Sequence, residues 1–162
     1  ACGAALESGR MGRDVVEGKA AVVAKQQAVR PVFDCLGLCR LPWVEIGFPL
    51  ANYGEVYPLV TGINHTWDDL VALSDRMYNL TRCFNVREIP GYGRSYDAPP
   101  ARFVEEQVPS GPSKGAIAKK EMLERLLDDY YAVRGWDANG IPTRKKLEEI
   151  GLKHVADELG LT

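Results

Sequence analysis

The 162-residue sequence predicts an all-α fold: an irregular helical domain with a long Pro/Gly-rich loop at about residues 86–115. Two patterns predict it. Apolar residues recur at three- and four-residue spacing in separate windows bounded by cap and stop residues, and no run alternates apolar with polar as a half-buried strand would. Five of the ten prolines, Pro90, Pro99, Pro100, Pro109 and Pro112, fall inside that interval, a composition that helix interiors exclude.

Residues 1–14 hold three glycines, a serine and mixed charges and read as a loose lead-in, with the helical domain occupying 15–162. From 15 to about 39, Val22, Val29, Phe33 and Leu36 advance by seven, four and three, one face of a helix. Pro31 lies inside it and predicts a kink or break. Gly37 sits where the last turn needs a left-handed residue. Residues 41–47, with Pro42 and Trp43, read as a connector. A short helix follows at about 51–60, weakened by Gly54 and Pro58. Thr66 with Asp68 and Asp69 reads as an N-cap and acidic first turn. The helix they open carries Leu70, Leu73, Met77, Leu80 and Phe84 as one apolar stripe, expected to face the core. Beyond the long loop, Met122, Leu123, Leu126, Leu127, Tyr130 and Tyr131 mark a helix over 118–134 ended by Gly135, with Glu121 and Arg125 placed to pair at i,i+4. Thr143 caps a short helix to about Ile150, Gly151 stops it, and residues 154–159 form the last one.

Lys+Arg number 20 and Asp+Glu 22, a net charge of −2. That balance excludes a phosphate-backbone binder, which needs a cationic surplus. With 46% hydrophobic and 26% charged residues the chain is an ordinary globular one. No apolar run reaches the roughly 18 residues of a membrane span, and no signal-peptide pattern opens the chain. The four cysteines, Cys2, Cys35, Cys39 and Cys83, include no C-x-x-C pair. The expectation is a soluble, cytoplasmic protein with reduced thiols.

Residues 34–39, Asp34-Cys35-Leu36-Gly37-Leu38-Cys39, form the densest knot of chemical groups. They sit at a helix end, where backbone groups are free. A carboxylate there can accept from an amino-substituted heterocycle, Gly37 permits close approach, and Cys39 is a soft ligand as thiolate. The plainer alternative is a solvated acid, a C-cap glycine and two core thiols. His65 and His154 lack metal-ligand spacing. Residues 110–115 lack the order of a phosphate loop, and Pro112 removes a donor. Arg76, Arg82 and Arg87, interleaved with Asn79 and Asn85, suit an anion less well than hydrogen bonds to neighbouring loop carbonyls. No nucleophile–base pair is legible, so no catalytic residue is assigned.

Three stretches carry a resemblance. Residues 34–39 match D-x-x-G-L-C. Residues 79–88 match N-x-x-R-x-F-N-x-R-E. Residues 130–143 match Y-Y-x-x-R-G-W-D-x-x-G-x-P-T. In this order they resemble the C-terminal domain of the tungsten-containing aldehyde:ferredoxin oxidoreductase family. Two departures, Ile89-Pro90 before Gly91 and Pro99-Pro100-Ala101-Arg102-Phe103, lie in the long loop and bear on substrate rather than family. The resemblance implies a tungsten (or molybdenum) bis-pterin and a [4Fe–4S] cluster in the full-length enzyme, and none in the isolated chain. It implies that Asp34 and Leu38 contact one pterin, that Gly37 allows the turn, and that Cys39 is one cluster ligand. It implies aldehyde oxidation with ferredoxin as acceptor, missing N-terminal and middle domains as partners, and a chain inactive alone. The start without Met agrees with a piece of something longer. A homo-oligomer, an aryl-CoA substrate and a cofactor-free helical interaction module stand as alternatives.

Overall fold

The computed structural model describes residues 16–162, so Cys2 and the lead-in lie outside the described residues. The backbone of the fold is α1 (Lys19–Leu36), which packs against two later helices. Its buried face is Val22, Ala28, Val29, Val32 and Phe33, the predicted period with small residues added. Pro31 does not break it: α1 is helical throughout. Pro31 removes a single hydrogen bond, and the buried residues on both sides hold the helix across the gap. The predicted connector is instead a short helix, α2 (Leu41–Ile46), with Pro42 in its first turn, a position where the missing N–H costs nothing. α3 (Ala51–Thr61) follows as predicted.

The longest helix is α4 (Trp67–Glu88). It extends two residues beyond the predicted start of the loop at 86 and reaches Glu88. Thr66 Oγ1 accepts the Asp69 N–H at 3.2 Å, while Asp69 Oδ2 accepts the Thr66 N–H at 2.8 Å, a reciprocal capping box. The hydrogen bonds to Thr66 hold the Asp69 carboxyl below its ordinary value of 3.8. Because the folded value is the lower one, this contribution is complete above the ordinary value and is lost as pH falls through the folded one. Loss of the N-cap side chain in Thr66→Ala should lower stability at neutral pH by about 1 kcal/mol, and loss of its hydrogen bond to Asp69 should flatten the acid limb of a urea-midpoint-versus-pH curve. An unchanged midpoint at neutral pH would show that the cap contributes nothing.

The connection from α4 to the next long helix is built rather than structureless. It holds a 3-10 turn (Arg94–Tyr96), a one-turn helix α5 (Arg102–Glu105), and a tight turn in which the Val108 N–H donates to the Ala116 carbonyl and the Gly115 N–H to the Val108 carbonyl, both at 2.9 Å. Arg94 fastens it to α6 (Lys120–Arg134) through Glu124 and Asp128 at 2.6–2.7 Å. The predicted Glu121–Arg125 pair does not form; Arg125 faces Glu17 instead, at 3.9 Å. Two short helices, α7 (Arg144–Glu149) and α8 (Lys153–Glu158), pack together. With Cys83 they bury Leu147, Leu152, Val155 and Ala156. Thr143 caps α7 by accepting the Lys146 N–H. Among the described residues there is no strand, only an isolated bridge between Trp136 and Pro142, and no helix long and apolar enough to cross a membrane. The all-α prediction holds.

Candidate functional site

Residues 34–39 leave α1 through Gly37. Gly37 has φ of 63°, and the Leu38 N–H reaches the Phe33 carbonyl at 2.9 Å while the Gly37 N–H reaches Asp34 at 3.4 Å. This is a Schellman turn, and it throws Leu38 and Cys39 out of the helix direction. Its base is rigid. Phe33, 1% exposed, stacks on Trp43 of α2 at 5.6 Å and meets Tyr53 of α3 edge-on at 5.0 Å. Tyr53 in turn contacts Phe48 and Trp67.

The groups on this turn face outward. Asp34, Cys35, Gly37, Leu38 and Cys39 are all exposed. A Cβ built on Gly37 would meet nothing within 4 Å, so its backbone borders open space. Among the described residues neither the Asp34 carboxylate nor the Cys39 thiol has a side-chain partner. The two motif thiols differ: Cys35 lies 2.9 Å from Met77 Sδ, turned toward α4. Cys83, the third described thiol, is buried in the α7–α8 core, and burial pushes it up to about 11, an inert packing residue. Among the described residues no three His, Cys, Asp or Glu side chains converge as a metal site.

Apolar surface surrounds the turn. Leu41, Val44 and Ile46 of α2 and Val56, Leu59 and Val60 of α3 are exposed, Leu59 at 84%. On the other side the α4 stripe is not the core face expected of it. Leu73, Leu80 and Phe84 are exposed, while the buried α4 residues are Leu70, Ser74, Asn79, Arg82 and Cys83. Cavities of about 450 and 330 Å³ on the two sides share Leu36 and Tyr57, so the apolar surface is continuous past the motif. A patch of this kind marks a contact surface.

Leu80 and Phe84 of the second motif stretch lie on this surface; the buried residues of the other two stretches interlock beneath it. Arg82, 7% exposed, donates to both Asp97 oxygens at 2.6 and 2.8 Å and to the Gly140 carbonyl at 2.8 Å. Its guanidinium lies 4.7 Å from the ring centres of Tyr92 and Trp136. Tyr131 donates to Asp97 at 2.6 Å. Gly140 has φ of 75°, and a Cβ there would sit 2.6 Å from Arg82 Nη2, so this turn admits only glycine. Arg134, 3% exposed, donates to Asp75 at 2.9 Å, to Gln27 Oε1 at 2.9 Å and to the Ala24 carbonyl at 3.2 Å. Lys146 adds a second cation to Asp75 at 2.8 Å. Trp136 Nε1 donates to Asn79 Oδ1 at 2.8 Å. Desolvation pushes the Tyr130 and Tyr131 hydroxyls well above their usual range, so both remain protonated donors.

The preference for loop-carbonyl bonding over anion binding holds for Arg82. Arg87 instead pairs with Glu88 and Glu158 at 2.6 and 2.7 Å. His65 stacks on Tyr57 at 5.9 Å, and His154 is exposed. Residues 110–115 belong to the exposed tight turn. Sequence reasoning missed Asp97 and the partnership of Asp75 with Arg134. A signal was present, since Asp75, Asn79 and Arg82 advance by four and three along one face of α4.

The fold and this surface define an all-α domain that displays a Gly-centred turn with an acid and a thiol on an apolar face. A family model for aldehyde ferredoxin oxidoreductase, domains 2 and 3, matches residues 5–152. The chain belongs to the aldehyde ferredoxin oxidoreductase family. It is 33% identical over 140 residues to the tungsten-containing aldehyde ferredoxin oxidoreductase of Pyrococcus furiosus, covering 86% of this chain and 22% of that protein. The protein of the same name from Pyrococcus horikoshii is also 33% identical, over 141 residues, with the same two coverages. A WOR-like subunit of an aliphatic sulfonate oxidoreductase from Pyrococcus furiosus is 38% identical over 66 residues, 41% of this chain and 10% of that protein. Among solved structures, the active site complex BamBC of benzoyl coenzyme A reductase with 1,5-dienoyl-CoA superposes with a TM-score of 0.71 at 26% identity, over 92% of this chain and 21% of that one. The chain thus spans about a fifth of the length of the relatives it matches.

Proposed function

We propose that this chain is one wall of the cofactor site of a tungsten-containing aldehyde oxidoreductase. Asp34 and Leu38 contact one pterin, Gly37 allows the approach, and Cys39 supplies one of the four thiolates that hold a [4Fe–4S] cluster. The observation that carries the reading is the outward turn at residues 34–39, with a carboxylate and a thiol that have no side-chain partner among the described residues, on a continuous apolar surface. The residues suit the groups. The Asp34 carboxylate is free to accept from the amino-substituted pyrimidine ring of a pterin. Gly37 adds no side chain where a ring would lie. Leu38 offers an apolar edge. Cys39 extends past the helix end, toward whatever covers the apolar surface. Held by Asp34, Gly37 and Leu38 on this side, a tungsten–pterin group would supply two-electron redox chemistry, and a cluster held in part by Cys39 would supply one-electron transfer.

One thiol cannot hold a cluster, so the remaining ligands and the second pterin site belong to the portions of the protein that the relatives possess and this chain does not span. The full protein would convert an aldehyde and water to a carboxylate, releasing three protons and delivering two electrons to ferredoxin in the cytoplasm. The isolated chain would be inactive. Family membership supports this reading over a cofactor-free interaction module. The likeness to the benzoyl coenzyme A reductase complex supports a second substrate class, an aryl-CoA.

The test is the full-length protein, purified without air. It should contain tungsten and iron and reduce ferredoxin or a viologen dye when given acetaldehyde or benzaldehyde. Oxidation of the reduced dye by an aryl-CoA, with no dye reduction by aldehydes, would move the reading to the second class. Absence of both metals from folded protein would end it.

A further inference from the structure

A chamber of about 320 Å³ opens between α1 and α6, away from the 34–39 turn. Ala20 and Val23 of α1 face Leu123, Leu126 and Leu127 of α6, and Trp136 lies at its base. The predicted apolar face of α6 therefore lines a space instead of closing a core; only Tyr131 and Arg134 of that helix are buried. The volume is about twice the ~150 Å³ in which an apolar cavity holds benzene, and an apolar pocket with few convergent polar groups is the usual form of a small-molecule site.

Lys19, Gln27, Tyr78, Arg82, Asp97 and Tyr130 also line the chamber; Arg82 and Asp97 pair with each other, and Gln27 carries a donor that faces it. Gln27 Oε1 accepts from Tyr130 at 2.5 Å and from Arg134 at 2.9 Å. Arginine only donates, so the amide orientation is fixed with its oxygen on that side. Its Nε2 then has no partner among the described residues. Gln27, Tyr78 and Arg82 also line a second cavity, of about 550 Å³, which extends to Asp34. The Gln27 amide stands where the two cavities meet.

We propose that this chamber binds a small apolar compound bearing one carbonyl-type acceptor. The hydrocarbon part lies among Val23, Leu126 and Leu127, and the oxygen accepts from Gln27 Nε2–H. A longer ligand anchored there would extend along the second cavity toward Asp34. The proposal rests on the geometry of this chain alone and requires no cofactor.

The experiment uses the ¹⁵N-labelled 162-residue chain with two probes of the same shape, acetophenone and ethylbenzene. Both should bind saturably and shift resonances of Val23, Leu126, Leu127 and the Trp136 indole. Acetophenone should bind about fivefold tighter, the worth of one neutral hydrogen bond, and it alone should shift the Gln27 side-chain NH₂. Gln27→Glu keeps an oxygen for Tyr130 and Arg134 but removes the donor; acetophenone affinity should drop to that of ethylbenzene, which stays unchanged. Leu127→Trp should abolish both by filling the chamber, and Val23→Trp does the same from the α1 side if the first variant fails to fold. No binding of either probe up to its solubility, shifts centred elsewhere, or binding that survives both filling variants overturns the site. Equal affinity for the two probes overturns the role of Gln27. None of these results touches the cofactor reading, which the metal content of the full-length protein tests separately.

Discussion

In the full-length protein, Cys39→Ala should strip the iron–sulfur cluster while Cys35→Ala leaves it in place. The two thiols are four residues apart on one turn, but their surroundings separate them. Cys35 is turned onto Met77 of α4 at 2.9 Å. Cys39 follows the Schellman turn, exposed and, among the described residues, without a side-chain partner. Within this chain Cys39 is exposed, so its replacement should leave this domain folded, and thermal unfolding of each variant separates loss of a ligand from loss of the fold. A thiolate is the usual ligand of such a cluster, and alanine has no atom to replace it. The measurements are iron per chain, the electron paramagnetic resonance signal of the reduced cluster, and thermal unfolding of each variant. The expected result is loss of most iron and of the signal in Cys39→Ala with a folded protein. Near-complete retention is expected in Cys35→Ala. Equal losses in the two variants, or full iron in Cys39→Ala, would remove Cys39 from the ligand set.

Local rules made much of the fold legible. Thr66 with Asp69, Thr143, Gly37 and Gly135 mark helix ends through hydrogen bonds that need only neighbours in sequence. The 34–39 turn was legible for the same reason. What failed needed knowledge of the other side of a contact. The period of Leu70, Leu73, Met77, Leu80 and Phe84 identified a helix, but an apolar stripe does not say what covers it. Here much of it borders the motif turn, and in the proposed function it is surface for the remaining domains. The face of α4 that is buried within this chain carries Asn79 and Arg82, residues ordinarily assigned to solvent. Their burial is tolerable because each is paired, Arg82 with Asp97 and Gly140, Asn79 with Trp136. Those partners lie 15 to 58 residues away, beyond the reach of any spacing rule. At Pro31 a local rule allowed a kink or a break, and the helix continues through it without a break.

Asp97→Ala should then be among the most destabilising substitutions in the chain, although Asp97 lies in a proline-rich connection that composition alone would rank as dispensable. Its carboxylate takes both nitrogens of the Arg82 fork and the Tyr131 hydroxyl, joining α4, the connection and α6. Removing it leaves a guanidinium that is 7% exposed without its counter-charge. Breaking a buried pair from one side costs about 3–5 kcal/mol. The Asp97 side chain retains 24% exposure, through which water reaches the site, so roughly 2–4 kcal/mol is expected after that allowance. Urea unfolding gives the value, and hydrogen exchange should show faster opening across residues 89–119, where the Arg94 ion pairs to α6 remain. Arg82→Met should be comparably harmful on its own. The double variant should lose less than the sum of the two, because it leaves no unpaired charge behind. Losses below about 0.5 kcal/mol in both single variants would mean that the pair merely decorates the surface. Strict additivity in the double variant would mean that the two residues act separately and that the connection is fastened by something else.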